Sequence, residues 1–232
     1  MNSKSSPRRA LMVVAKRPAL GKTKTRLTPP LSGEQASAVY ECFLRDTLDL
    51  IRAARQQIDF VPTIAYLPAG DEAYFRALAP DFALLLQHGN DLSERLHNAT
   101  SHSLTHGFEQ AVIMDSDSPT LPVQNLVQAF TALDKADVSL GPCDDGGYYL
   151  IGLKKPAPDL FLTVTMSTNH VTDDTLARAQ VANLKVALLP GSYDIDYVAD
   201  LKRLADELKT LPPQVAPHTR VFLARNPALL EA

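Results

Sequence analysis

The chain has 232 residues, 45% hydrophobic and 21% charged, with a formal charge of −3 and no tryptophan. That length buries a sizeable core and suits one domain, and the slightly acidic balance excludes a general nucleic-acid binder. No apolar run reaches membrane-spanning length, Cys42 and Cys143 supply no framework of bridges, and the polar start lacks a secretory core, so a cytoplasmic protein off the membrane is expected.

Residues 1–10 read as a flexible lead-in. Leu11–Ala15 is a short apolar run and predicts the first strand. It opens into a loop carrying Lys16, Arg17, Lys22, Lys24 and Arg26 around Gly21. Amides and cations converge in a loop of this kind, which suits a phosphate cradle; a solvated basic loop is the plain alternative. Gly21-Lys22-Thr23 imitates the end of a nucleotide-triphosphatase P-loop, but Lys16 stands where that pattern needs its earlier glycine. Ser32-Gly33-Glu34-Gln35 has the form of a capping box and predicts a helix to about Gln57. Its Ala36, Val39, Tyr40, Phe43, Leu44, Leu48 and Ile51 recur at helical spacing, and Cys42 reads as a buried inert thiol.

Phe60–Tyr66 predicts a second strand with Pro62 near its start, Asp71–Leu78 a short helix, and Ala83–Gln87 a third strand. Asp91-Leu92-Ser93-Glu94 repeats the capping pattern and opens a helix reaching Gly107. His97, His102 and His106 lie on it; without an acidic HExxH partner they read as exposed polar residues rather than zinc ligands.

Ala111–Met114 then breaks into Asp115-Ser116-Asp117-Ser118-Pro119. An apolar run without alternation suits a parallel strand covered on both faces, and ligands collect beyond the carboxyl ends of such strands. Two acids there repel unless a cation neutralises them, and oxygen ligands beside an anionic substrate favour Mg2+ or Mn2+. Solvated turn residues are the alternative.

Pro122 opens a helix to about Leu133. Val138–Leu140 predicts a strand that empties into Gly141-Pro142-Cys143-Asp144-Asp145-Gly146-Gly147, and Tyr148–Leu153 leaves that turn as another. A helix over about Thr172–Ala182, a strand at Val186–Leu189 and a helix at Val198–Leu208 follow, with Asp194-Ile195-Asp196 before the last. The proline-punctuated remainder, residues 211–232, is expected to pack along the domain formed by residues 11–210. This alternation predicts a mostly parallel α/β sheet with helices on both faces, in which the basic loop, Asp115–Asp117 and Asp194–Asp196 can meet at one edge.

With those segments in view, the chain resembles the domain-of-unknown-function family 2064 (DUF2064), which is similar to GT-A nucleotide-diphospho-sugar transferases. It is also similar to the nucleotidyltransferases that make molybdenum cofactor dinucleotide and activated phospholactate. The resemblance spans roughly Leu11 to Leu208. It rests on Lys24-Thr25-Arg26-Leu27, Ser116-Asp117-Ser118-Pro119, Gly141-Pro142 with Asp145-Gly146-Gly147-Tyr148-Tyr149, and Asp194-Ile195-Asp196 with Asp200-Leu201.

The resemblance implies a single GT-A domain. Asp117 and Asp196 would hold Mg2+ or Mn2+, while Lys16, Lys22, Lys24 and Arg26 would hold nucleotide phosphates. Gln87 and the Asp91–Arg95 segment would lie near the base. Gly146, Gly147 and Tyr148 would bind the acceptor, with Asp117 and Asp145 catalytic; Asp145 as a turn residue holding the two glycines stays open. Three positions depart from the family: Asp115 replaces a small residue, Ser93 a glycine, and Met166 the tryptophan before Ser-Thr. The implied activity is sugar transfer from a nucleotide diphosphate sugar to a small acceptor, with arsenosugar biosynthesis as one setting. Nucleotidyl transfer to a phosphorylated acceptor and non-catalytic nucleotide binding remain as alternatives, and homodimerisation is left open.

Overall fold

A computed structural model describes residues 8–230; residues 1–7 of the lead-in expected over residues 1–10, and the last two residues of the tail, lie outside it. Arg9 and Ala10, assigned to the lead-in from sequence, are already strand. In chain order the elements are β1 (Arg9–Lys16), α1 (Gly33–Arg55), β2 (Val61–Leu67), α2 (Glu72–Leu78), β3 (Ala83–Leu86), α3 (Leu92–Thr105), β4 (Gln110–Met114) and α4 (Val123–Ala132). They continue with β5 (Val138–Pro142), β6 (Tyr148–Leu153), α5 (Asp159–Leu162), α6 (Val171–Val181), β7 (Val186–Leu188), α7 (Val198–Leu208) and α8 (Pro217–Arg225).

The strands form one sheet in the order β3-β2-β1-β4-β6-β5-β7. Helical crossovers make β1, β2, β3 and β4 parallel, while β5 and β6, joined by a short turn, have to run antiparallel. Two-residue periodicity sorts the core. Leu11, Val13 and Ala15 of β1 pack with Leu44 and Leu48 of α1, Phe75 of α2 and Phe130 of α4. Met12 points the other way, to Leu96 and Ala99 of α3, Phe161 of α5 and Ala179 of α6. β4, flanked by β1 and β6, is buried at all five residues, which is why its sequence is a continuous apolar run.

α1 starts at the expected capping box: Ser32 Oγ accepts from Gln35 N–H at 3.1 Å, and the Gln35 side chain accepts from Ser32 N–H at 2.8 Å. Its outer apolar residues, Ala36, Val39 and Phe43, build a further core with Leu201 and Leu204 of α7 and Phe222 and Leu223 of α8. The proline-rich tail therefore contains a helix that the sequence reading left out. Pro217 occupies its first turn, where no N–H is needed. Asp46 of α1 accepts the next two amides, from His218 and Thr219, at 2.9 Å each, and the Thr219 hydroxyl at 2.6 Å. A carboxylate from another helix thus satisfies the orphan donors of α8.

Candidate functional site

Three loops meet beyond the carboxyl ends of β1 and β4. In the first, Lys24 adopts a left-handed backbone (φ 47) before a single 3-10 turn, Thr25–Leu27, which Leu27 anchors in the core. That conformation is disfavoured by about 1–2 kcal/mol for a residue with a Cβ. It turns the ammonium inward. With its side chain only 5% exposed, Lys24 Nζ lies 2.9 Å from Asp117 Oδ2 and 2.9 Å from Asp196 Oδ1. Burial by itself would lower the lysine, but the two carboxylates win and hold its pKa well above the usual value. Arg26 Nη1 meets the other oxygen of Asp196 at 2.5 Å. A backbone bond from Ile195 N–H to the Asp117 carbonyl, 3.1 Å, ties the second and third loops together.

The two acids after β4 divide their roles. Asp115 Oδ1 accepts the Asp117 N–H at 3.1 Å, and Ser118 Oγ lies 3.3 Å from its Oδ2 and 3.1 Å from the Tyr193 carbonyl. Burial, then the charge of Asp117, pushes the Asp115 carboxyl well above the carboxylate range. The single proton of Ser118 serves one of these two acceptors at a time. Asp115 therefore builds the turn. Asp117 faces the basic loop with Oδ2, while its Oδ1 is buried and has no hydrogen-bond partner. Tyr40 of α1 braces this corner. Its hydroxyl takes the Lys16 N–H at 3.1 Å and pairs with Ser116 Oγ at 3.1 Å.

Asp194 and Asp196 repeat that division. Helix α7 is capped by neither: Asp200 Oδ2 takes the N–H groups of Asp196 and Tyr197, at 3.1 and 2.7 Å, leaving the Asp196 carboxylate for Lys24 and Arg26. Burial works against ionisation of Asp196, yet those two cations pull its pKa below the ordinary value. For Asp194 the balance is reversed: burial, then Asp145 and Asp196, outweighs Lys24 and raises it to about 6.

In the β5–β6 turn, Asp145 Oδ1 accepts the Gly147 N–H at 2.8 Å, which is the turn-holding role left open from sequence; its second oxygen stays available. Gly146 sits at φ +89, and a Cβ there would fall 2.0 Å from the Asn169 carbonyl oxygen, so both conformation and space demand glycine. Tyr148 is half-buried beside Met166, with its hydroxyl 3.9 Å from the sulfur, and desolvation raises its pKa.

These pieces enclose a cavity of about 730 Å3. Lys16, Lys22, Lys24, Arg26, Asp117, Asp145, Gly147, Tyr148 and Asp196 all line it. Three residues expected in the site do not: Gln87 turns inward to give its amide to the Ala65 carbonyl at 2.6 Å, Asp91 caps α3 through the Glu94 N–H, and Gly146 packs under Asn169. In their region the lining is apolar, from Leu92 and Leu96. Sequence reasoning missed Arg203, whose guanidinium pairs with Asp144 at 2.7 Å and stacks over the Tyr193 ring at 3.7 Å. Its only signal is a place three residues after Asp200 on one side of α7. His102 and His106 stack on each other at 4.0 Å away from the cavity.

The donors test the expected metal pair. Between Asp117 and Asp196 stands the Lys24 ammonium, and both oxygens of Asp196 are engaged. The expected two-aspartate seat is thus bridged by a lysine. The orphaned Oδ1 of Asp117, by contrast, fits a cation, as do Asp145 and Asp194, which further enrich the cavity in carboxylates. Among the described residues, Cys143, Asp145 and Asp194 bring ligand-type atoms within 4.8 Å of one another. Burial, then Asp115 and Asp194, pushes the Cys143 thiol far up, so it stays protonated and the hard oxygen donors dominate.

Comparison with known proteins follows this geometry. A family described as "Uncharacterized protein conserved in bacteria (DUF2064)" matches residues 50–168. A solved structure from Desulfovibrio desulfuricans G20, provisionally described as a nucleotide-diphospho-sugar transferase, is 31% identical; the match covers 97% of this chain and 98% of that one, with a TM-score of 0.89. More distant structures share the fold. The 4-diphosphocytidyl-2C-methyl-D-erythritol synthase of Anaerococcus prevotii DSM 20548 is 15% identical, covering 88% and 99%, with a TM-score of 0.58. Glucosyl-3-phosphoglycerate synthase of Mycobacterium tuberculosis, solved with Mn2+, UDP and glucosyl-3-phosphoglycerate, is 11% identical, covering 89% and 80%, with a TM-score of 0.52. No curated protein matches the chain. No helix among the described residues is long and apolar enough to cross a membrane.

Proposed function

The chain belongs to the DUF2064 family, and from that premise we propose that it is a metal-dependent transferase moving a sugar from a nucleotide diphosphate sugar to a small acceptor. The observation that carries this reading is the junction of a four-cation loop with two strand-end aspartates inside one cavity. The description of the Desulfovibrio relative supports it.

In this reading Lys16, Lys22, Lys24 and Arg26 bind the diphosphate, where amides and cations of the β1–α1 loop converge. Asp117 offers its free oxygen to Mg2+ or Mn2+, and Asp194 and Asp145 add further oxygen donors in the same cavity. A divalent ion there stabilises the charge that develops on the leaving diphosphate. Asp196 acts on Lys24 and Arg26, holding both cations at the place where that charge appears. Oriented charges of this kind are typically worth a few kcal/mol each in a site shielded from water. The turn at Asp145–Tyr148 faces the acceptor, and Tyr148 with Met166 closes the cavity on that side.

The test is product identification. Incubated with nucleotide sugars and Mg2+ or Mn2+, the protein is expected to release nucleoside diphosphate. Pyrophosphate released from a nucleoside triphosphate would instead make it a nucleotidyltransferase. Nucleotide binding without turnover of either kind would leave a binding protein.

A further inference from the structure

The seat expected for a divalent ion is held by Lys24. Of the four carboxylate oxygens of Asp117 and Asp196, Lys24 Nζ meets one from each at 2.9 Å, and Arg26 meets a third at 2.5 Å. The fourth, Asp117 Oδ1, has no hydrogen-bond partner and is closed to solvent. No oxygen of the pair is therefore both free of a cation and open to the cavity. The balance of charge points the same way. Two carboxylates against Lys24 and Arg26 make a neutral group, and Lys16 and Lys22, both exposed and without an ion pair among the described residues, line the same cavity. A divalent ion arriving alone would expel a buried ammonium toward those lysines and add two positive charges beside them. In a cavity partly shut off from water, that repulsion is stronger than at a surface. A diphosphate reverses the balance, because its negative charge can receive the ammonium.

We infer that Lys24 is a built-in gate: its ammonium keeps divalent ions off Asp117 until a diphosphate draws it away, so that metal and nucleotide enter the site together. This rests on the metal site of the reading above and adds the order in which that site fills. The same lysine serves two partners in turn, carboxylates in the bare protein and phosphate in the loaded one. Thr23 and Leu27, buried on either side of it, fix the backbone of the loop. The movement therefore belongs to the side chain, and the flexible stem of a lysine allows it.

The experiment titrates Mn2+ into the bare protein, with bound ion read by electron paramagnetic resonance, for the parent, Lys24→Met, Lys16→Met and Lys22→Met. Lys24→Met is expected to bind Mn2+ at least about tenfold more tightly than the parent, while it binds nucleoside diphosphate more weakly. Loss of a merely structural lysine would lower both affinities. Lys16→Met and Lys22→Met remove the same charge from the same cavity without freeing Asp117, and should change Mn2+ affinity only a few-fold. An equal gain from either control makes the effect a general one of charge and overturns the gate. An unchanged affinity in Lys24→Met overturns it too, since the ion would then bind without Asp117. If Lys24→Met fails a melting-curve check of its fold, the parent supplies a second measurement, acetylation of its lysines by acetic anhydride followed by mass spectrometry. Lys24 should react far more slowly than Lys22 in the bare protein and stay protected when Mn2+ is added alone; rapid acetylation in either state overturns the inference. Failure of the underlying reading looks different: no protein-bound Mn2+ in parent or variants, with or without nucleoside diphosphate, would remove the metal site itself.

Discussion

Two Asp-x-Asp segments, Asp115–Asp117 after β4 and Asp194–Asp196 before α7, reach the same cavity from distant parts of the chain and divide their acids in the same way. In each, it is the second aspartate that pairs directly with Lys24. Burial above all raises the pKa of the first, Asp115 well above the usual range and Asp194 to about 6. The segments differ in what the first acid does. Asp115 spends its oxygens on the turn, whereas Asp194 keeps its carboxylate toward the cavity. Spacing brings both acids of a pair to one place, but the position of Lys24 decides which of them is ion-paired.

Lys24 is the hinge of that symmetry, and Lys24→Met should have the largest effect. It leaves Asp117 and Asp196 facing each other without their buried cation. Breaking such a pair costs about 3–5 kcal/mol, which urea unfolding would read, and nucleoside diphosphate affinity should fall about a hundredfold as charge-assisted bonds to phosphate are lost. Stability unchanged within error would mean that the bridge contributes nothing.

Asp196→Asn should come next. Asp200 still caps α7, so secondary structure survives, but Lys24 and Arg26 lose a charged partner at a cost of about 1–2 kcal/mol. A drop as large as that of Lys24→Met would show that Asp196 carries the whole bridge and Asp117 none of it.

For Asp194 the sign of the pH effect is fixed by the direction of its shift. The folded pKa, about 6, exceeds the unfolded value of 3.8, so folding favours the protonated acid. Its contribution is fully present below about pH 4 and is lost as pH rises through about 6. Asp194→Asn should therefore be more stable than the parent at pH 7 by about 1 kcal/mol, discounted for solvent screening, and should gain nothing at pH 3.5. Equal differences at both pH values would remove titration from the account.

Arg26→Lys should have the smallest effect. This side chain is over half exposed, and lysine keeps the charge while losing the planar fork, so a few-fold loss of diphosphate affinity and less than about 1 kcal/mol of stability are expected.

Much of this arrangement could be read from residues alone, for reasons that are local. The capping box at Ser32, the unbroken apolar run of β4 and the stripe of α7 are each encoded in a few neighbouring positions. The convergence of the basic loop with two aspartate segments followed from sheet topology. What could not be read depends on partners far apart in sequence. Helix α8 hides in a proline-rich tail because Asp46, on α1, supplies the acceptors at its start. The pairing of Lys24 was hidden because nothing in its neighbours announces the inward, left-handed turn toward Asp117 and Asp196. Gln87 looked like a base contact, but the Ala65 carbonyl on the adjacent strand claims its amide. Arg203 carries no local mark.

The central claim is that Asp117, with its unpartnered buried oxygen, is the metal-dependent member of its pair while Asp115 builds the turn. The measurement is the melting-temperature gain on adding nucleoside diphosphate with Mg2+ or Mn2+, compared among the parent, Asp117→Asn and Asp115→Asn. The account predicts that Asp117→Asn folds and loses the metal-dependent part of that gain, while Asp115→Asn keeps it. Equal loss at both positions, or an unchanged gain in Asp117→Asn, would contradict it.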